Sequence, residues 1–85
     1  MVAIDDTAIP TGELLAVDGT PFDFRSFRSV GERIDADHPQ LSNGIGYDHT
    51  FVFRDEVSHA GAVGAALHDP TSGRYLEVLT SEPGV

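Results

Sequence analysis

Glycine and proline recur along the whole of this chain, and they limit the length of any regular element. The nine glycines and five prolines are spread over 85 residues, without a repeat or a low-complexity block. Because both residue types interrupt helices and central strands, this distribution favours short strands joined by turns. No segment carries a 3.6-residue apolar stripe of two turns or more. The sequence therefore predicts an all-β protein, and its length predicts one domain spanning 1–85.

The clearest turn lies in the last third of the chain. Two β-leaning runs, 63–68 and 74–80, flank the segment Asp69-Pro-Thr-Ser-Gly73. Pro70 suits an early turn position, and Gly73 suits a late position with left-handed backbone. The pattern predicts a β-hairpin.

Two further strands are predicted upstream. Residues 13–17 are a short β-leaning run that ends at the turn pair Asp18-Gly19. Residues 50–55 alternate in polarity, which places Phe51 and Phe53 on one face of an extended chain.

The segment between these strands has a weaker pattern. Phe22, Phe24 and Phe27 are predicted to lie in the core, because polar or charged residues separate them. Residues 29–35 are predicted to form one helical turn, and residues 37–46 have the composition of a loop.

The charge of the chain excludes several partners. Five Arg and no Lys stand against fourteen Asp and Glu, which gives a formal net charge of -9. A surface of this sign repels phosphate backbones and anionic lipids, so we expect neither nucleic acid nor membrane as a partner. The first ten residues resemble neither a signal peptide nor a membrane span, and the chain has no cysteine, so we expect a cytoplasmic protein. Arg25 and Arg28 either clamp an anion or pair with nearby carboxylates.

Histidine and aspartate are the residues of this chain best suited to acid–base chemistry or metal binding. Three of the four histidines are adjacent to an aspartate, and the fourth is His59: the pairs are Asp37-His38, Asp48-His49 and His68-Asp69. Their spacing matches no compact zinc or iron motif, so we expect no metal and no cofactor. Asp48 with a histidine from a neighbouring strand is the best acid–base pair the residues offer. The alternative is that Asp48 is a turn residue that stabilises the loop at 44–46.

Five short strings are spread in a fixed order along nearly the whole chain. They are Ile9-Pro-Thr-Gly-Glu13, Gly19-Thr-Pro-Phe-Asp-Phe24, Gly46-Tyr-Asp-His-Thr-Phe51, Ser72-Gly-Arg74 and Thr80-Ser-Glu-Pro-Gly-Val85. In order and approximate spacing they resemble the aldose 1-epimerases, the galactose mutarotases. The resemblance implies a piece, from the later half, of a much longer antiparallel β-sandwich, the galactose mutarotase-like supersandwich, which has an open sugar-binding cleft.

The resemblance also implies a reaction and one site residue. Family members interconvert the α and β anomers of free aldoses through ring opening, with a glutamate base and a histidine acid. Asp48 matches the aspartate that accepts hydrogen bonds from sugar hydroxyls, so it is the predicted substrate-binding residue. The catalytic histidine lies upstream of the matched part and the glutamate lies downstream of Val85, and His49 inherits no catalytic role. The resemblance therefore assigns no catalytic residue to the chain, and it implies a truncated, aldose 1-epimerase-like protein with little or no mutarotase activity alone.

A fragment of a sandwich exposes strand edges and apolar faces that another copy could cover. We therefore expect a homo-oligomer, in the simplest case a two-fold dimer that completes the sandwich, with an aldose as a weakly bound ligand. Two alternatives stay open. In one, an oligomer builds an active epimerase from Asp48, His38, His49 or Glu82 of different chains. In the other, the chain is an assembly module whose exposed edge pairs with a partner strand. The apolar strand residues behind this expectation are Phe51, Phe53, Leu67, Leu76 and Val78.

Overall fold

A computed structural model describes residues 1–55 and 61–85 of the protein. The chain divides into two compact units, residues 1–50 and residues 51–85. Each unit contains one two-stranded antiparallel sheet. The described residues also include one short α-helix and one 3-10 turn, so the predicted all-β class is confirmed. The expectation of a single domain over 1–85 stays a prediction.

The sheet of the first unit consists of β1 (Val2–Ile4) and β2 (Pro10–Leu14), which pair with Val2 opposite Leu14. The other edge of β1 is also hydrogen-bonded, because the Val2 N–H donates to the Thr50 carbonyl at 2.9 Å. Strand β1 is therefore held on both sides.

Strand β2 begins and ends earlier than the predicted run at 13–17. Leu15 still exchanges two backbone hydrogen bonds with Met1, each at 2.8 Å, so the prediction was wrong for residues 16 and 17. The early start follows from a turn that brings the chain back at Pro10. In it, the Asp5 carboxylate accepts hydrogen bonds from the backbone N–H groups of Thr7 and Ile9, at 2.9 and 3.0 Å. An aspartate that binds its own downstream backbone stabilises such a turn.

The predicted loop at 37–46 contains the helix α1 (Pro39–Gly44), so that prediction was wrong. The helix begins with a proline at its first position, where the missing N–H costs nothing. The His38 side chain caps it by accepting a hydrogen bond from the Gln40 backbone N–H at 3.2 Å. Because six residues with one buried side chain, Leu41, cannot show an apolar stripe, periodicity gave no signal.

Residues 22–32 run from the core to the surface. Phe22 is completely buried and Phe24 is half-buried, as predicted, but Phe27 is 70% exposed, so its assignment to the core was wrong. Phe27 lies in a stretch in which every residue from 25 to 32 is exposed. The predicted helical turn at 29–35 is confirmed as a 3-10 turn over Val30–Glu32. The buried apolar residues of the first unit are Met1, Ala3, Ile4, Phe22 and Leu41.

The second unit contains the predicted hairpin. Strands β3 (Val63–His68) and β4 (Tyr75–Leu79) pair antiparallel. The Gly73 N–H donates to the Asp69 carbonyl at 2.8 Å, and the backbone of Gly73 is left-handed with φ 76°. The turn chemistry is the one the sequence predicted.

The strand predicted at 50–55 is present as a short extended segment that pairs with the chain's last residues. The Phe51 N–H donates to the Val85 carbonyl at 2.7 Å, and the Phe53 N–H donates to the Pro83 carbonyl at 2.8 Å. Phe51 and Phe53 are half-buried while the residues between and after them are exposed, which confirms the predicted alternation.

Candidate functional site

Asp48 is exposed between two residues whose rings point into the first unit. The rings of Tyr47 and His49 both contact the edge or face of Phe22, with centroid distances of 5.3 and 4.6 Å. Phe22 has no solvent exposure, so its ring holds the rings of Tyr47 and His49 in place. The carboxylate of Asp48 makes no hydrogen bond or ion pair with other residues in the described ranges.

Tyr47 is fixed by one hydrogen bond and by a second ring. Its hydroxyl donates to the Pro21 carbonyl at 2.8 Å, and its ring lies 5.1 Å from that of Phe24 in an edge arrangement. Burial raises the pKa of the Tyr47 hydroxyl, so it stays protonated as a donor at neutral pH. Edge contacts of this kind add about 0.5–1.5 kcal/mol beyond area burial.

Gln40 links α1 to β1 through its side-chain amide. Its Oε1 accepts from the Ile4 N–H at 2.9 Å, and its Nε2 donates to the Ile4 carbonyl at 3.0 Å. The Asn43 Nδ2 donates to the same carbonyl at 2.9 Å. The amide therefore pairs with Ile4 as a neighbouring strand would, and this pairing fixes which end of Gln40 is oxygen.

His49 forms a hydrogen bond at each ring nitrogen. Its Nδ1 accepts from the Asp48 backbone N–H at 3.2 Å, and its Nε2 lies 3.2 Å from the Gln40 Oε1. Because that Oε1 can only accept, Nε2 must be the donor. We therefore assign the neutral Nε2–H tautomer to His49.

The surroundings of His49 favour this neutral state. Burial lowers the pKa of His49 below its ordinary value, and the nearby carboxylate of Asp48 opposes that effect. His38 and the N-terminal amine of Met1 lower the pKa further, since each would repel a second positive charge. His49 is consequently uncharged at neutral pH.

The structure brings two of the predicted histidines together in the first unit, and a third lies in the second unit. His38 and His49 both lie against Phe22, with His38 at 5.5 Å between ring centroids. His68 lies in β3 of the second unit, 6.2 Å from the Tyr75 ring. His59 lies outside the described residues. Among those residues, no three histidine, aspartate or glutamate side chains are grouped to hold a metal ion.

The turn that follows α1 is closed by its own backbone. The Gly46 N–H donates to the Leu41 carbonyl at 3.0 Å, and the Ile45 N–H donates to the Ser42 carbonyl at 3.4 Å. These backbone hydrogen bonds close the loop at 44–46 without the side chain of Asp48, so they do not support its alternative role of stabilising that loop.

Arg25 and Arg28 pair with carboxylates rather than converging on an anion site. Arg25 lies 3.0 Å from Asp18 and 2.7 Å from Asp23, and Arg28 lies 3.6 Å from Glu32. Hydrogen bonds from Arg25 hold the pKa of Asp23 well below its usual range. No helix in the described part of the chain has the length and apolar character needed to cross a membrane.

Comparison with known proteins decides the family. The family model for aldose 1-epimerase matches residues 1–85 of the chain. The chain belongs to the aldose 1-epimerase family. This confirms the resemblance carried by the five sequence strings.

Relatives of this aldose 1-epimerase family member are considerably longer. The chain is 38% identical to galactose mutarotase from Rattus norvegicus and 39% identical to galactose mutarotase from Homo sapiens, over 82 residues in each case. It is 32% identical to aldose 1-epimerase from Streptococcus thermophilus over the same length. Each match covers 96% of this chain and 22% of the relative, so the chain spans about a fifth of its relatives' length. No solved structure matches significantly.

Two residues of the site, Gln40 and Tyr47, were not predicted from the sequence. The contacts of the buried Phe22 with residues 47 and 49 were not predicted either. The His38-Pro39 pair could have located the start of α1, and with it Gln40, because a capping side chain followed by proline is a helix N-terminus signal. Contacts from Phe22 to residues 47 and 49 bridge some 25 positions, and local pattern carries no information about them.

Proposed function

We propose that Asp48 forms part of a carbohydrate-binding cleft in which its carboxylate accepts hydrogen bonds from the hydroxyls of an aldose. The observation that carries the proposal is an exposed carboxylate held between two anchored rings, those of Tyr47 and His49. A charged acceptor makes shorter and stronger hydrogen bonds to hydroxyl donors than a neutral one. Because its flanking residues are already fixed, little ordering entropy is lost when a sugar binds.

Family membership supports the choice of an aldose as the ligand. Relatives are named galactose mutarotase and aldose 1-epimerase, and Asp48 lies in the string Gly46-Tyr-Asp-His-Thr-Phe51 that carries the resemblance. The chain's net charge of -9 disfavours a phosphorylated sugar, since like charges repel. A neutral aldose is the better ligand.

The proposed activity of the 85 residues alone is low. Anomer interconversion requires a base at the anomeric hydroxyl and an acid at the ring oxygen, and each such group supplies about 10²–10⁴-fold. The resemblance implies that the family's glutamate base and histidine acid both lie outside the residues matched here. We therefore propose that these 85 residues alone bind a sugar and are not an efficient epimerase.

The binding proposal is tested by NMR titration of the ¹⁵N-labelled chain with galactose, glucose and xylose. We expect amide shifts centred on residues 47–49 that saturate at about 10–50 mM, the millimolar range of a single anchoring group. Asp48→Asn should abolish them. Asp6→Asn removes the same charge from another exposed aspartate and should leave them unchanged. If no sugar shifts residues 47–49, the proposal fails.

Activity is tested by polarimetry of freshly dissolved α-glucose. The expected result is a rate of mutarotation equal to that of buffer. A faster rate would contradict the low-activity proposal and would support an oligomer that assembles an acid–base pair from several chains.

We propose in addition that the chain self-associates as a two-fold dimer. Leu67 of β3 lies directly opposite Leu76 of β4, so both side chains share one face of the hairpin, and they are 58% and 53% exposed. A contiguous apolar patch on the face of a sheet is a surface that a second chain can cover. Sedimentation velocity of the wild type at about 50 µM, well above the Kd of a stable dimer, should show a dimer. The Leu76→Glu variant should sediment as a monomer. A folded wild-type monomer would overturn this part of the proposal.

A further inference from the structure

We propose that His49 is a positioning residue for Asp48: as a neutral imidazole it holds the Asp48 backbone from one side while Gln40 holds the ring from the other, and proton uptake releases Asp48. The inference rests on the proposed sugar-binding role of Asp48. It adds a pH-dependent control of that role by a residue that itself need not touch the sugar.

The two ring nitrogens of His49 have different tasks. Nε2–H donates to the Gln40 Oε1, and this bond is possible in the neutral and in the protonated ring. Nδ1 accepts from the Asp48 N–H, and this bond is possible only in the neutral ring. Protonation would place two N–H donors 3.2 Å apart. Protonation of His49 therefore breaks the hydrogen bond from the Asp48 N–H and leaves the hydrogen bond to Gln40 of α1 in place.

The ring of His49 has no alternative orientation that would restore the lost bond. Its Cε1 is so close to Gly44 that a Cβ built there would lie 2.8 Å away. The Phe22 ring lies 4.6 Å from it, centroid to centroid. A 180° flip would exchange nitrogen for carbon at the Gln40 Oε1, which is fixed by its hydrogen bond from Ile4.

The charged and titratable groups around His49 come from three segments. Asp48 lies beside it in the same segment and favours the protonated ring. His38, at the start of α1, and the amine of Met1, at the start of β1, disfavour it. Phe22 and Gln40 bring no charge. Two of the three groups thus act with burial to keep His49 neutral until the solution becomes acidic.

The tautomer is tested first, by long-range ¹H–¹⁵N correlation on the labelled chain without sugar at about pH 7.5, above the ordinary histidine pKa. We expect the Nε2–H form of His49. On acidification, the Asp48 amide signal should shift with the same midpoint as the His49 ring. An Nδ1–H tautomer, or an Asp48 amide that does not follow the ring, would overturn the inference.

Two substitutions separate the two nitrogens. In His49→Asn the side-chain oxygen replaces Nδ1, so it can accept from Asp48 but does not titrate. In His49→Gln the amide nitrogen replaces Nε2, so the contact with Gln40 is kept and the acceptor for Asp48 is lost. Amide spectra of both variants report whether each is folded.

Galactose affinity of these variants gives the second readout. Wild type should bind more weakly as pH falls through the His49 titration, and His49→Asn should bind equally well across that range. His49→Gln should bind about three- to tenfold more weakly than His49→Asn at neutral pH, the effect expected for one hydrogen bond. Equal affinity of the two variants, or a His49→Asn profile that keeps the wild-type pH dependence, would overturn the inference. If wild type binds no sugar, the proposed function fails, and the tautomer and amide titration still decide the role of His49.

Discussion

Gly44 and His49 approach so closely that there is no room for a side chain between them. A Cβ atom on Gly44 would lie 2.8 Å from the His49 Cε1 and 3.4 Å from the Ile4 Cδ1. The last residue of α1 is therefore a glycine because any side chain there would clash with the ring of His49. The ring of His49 cannot move aside easily, since both its nitrogens are hydrogen-bonded.

Gly44→Ala should destabilise the chain by about 1–3 kcal/mol, because an added methyl group overpacks this contact. Helix propensity alone predicts the opposite, a gain of about 0.5–1 kcal/mol. Urea denaturation measures the difference. The control is Gly31→Ala, where a Cβ meets open space, and its stability should stay within about 0.5 kcal/mol of wild type. A Gly44→Ala variant as stable as wild type would show that the ring can yield.

Ile45→Gly should stabilise the chain by about 0.5–1 kcal/mol. Ile45 ends α1 with left-handed backbone, φ 53°, and its side chain is 96% exposed, so it pays a steric cost and buries nothing. That cost is about 1–2 kcal/mol for a side-chain-bearing residue, and glycine avoids it at an entropic cost of about 0.5–1 kcal/mol. Thermal denaturation should show the gain. Ile45→Val keeps the branched side chain and should leave the melting temperature unchanged; an equal gain in both variants would contradict the steric explanation.

Turns were predictable because their chemistry is local. Asp69, Pro70 and Gly73 occupy the hairpin turn in the roles their side chains and backbone suit, and the hairpin is where the sequence placed it. The alternating burial around Phe51 and Phe53 was likewise predictable, because successive side chains of an extended segment point to opposite faces and the pattern needs only a few residues.

What could not be predicted depends on distant partners. The segment at Phe51 pairs with Val85 across 34 residues, and no local pattern identifies that partner. The sugar-binding role of Asp48 was predicted only through the family resemblance. Its fixed neighbours depend on Phe22 and Gln40, whose roles appear once α1 and the preceding chain pack around His49.

Gly73→Ala should weaken the hairpin of the second unit by about 1–2 kcal/mol, the cost of a left-handed backbone for a residue with a Cβ. The φ of Gly73 is 76°, and a Cβ there would meet nothing within 4 Å, so strain is the sole structural effect expected. Amide hydrogen exchange in β3 and β4 should accelerate accordingly. Gly73→Asn is the matched variant, because asparagine tolerates this backbone, and it should exchange at nearly the wild-type rate. Similar rates for Ala and Asn would argue against backbone strain at this turn.

Stability should fall as the pH drops below the ordinary histidine pKa of about 6.5, and His49 should be the cause. Its pKa is lowered in the folded chain, chiefly by burial, so the unfolded chain binds the proton more readily. The stabilisation that results is fully present above the unfolded pKa and is lost as pH falls through the folded one. Asp5, Asp23 and Asp69 also have lowered pKa values, but such carboxylates contribute their slope only below about pH 5. Urea midpoints measured between about pH 5 and 7 should therefore decline for wild type and stay level for His49→Asn, and a decline of equal slope in that variant would assign the effect to another group.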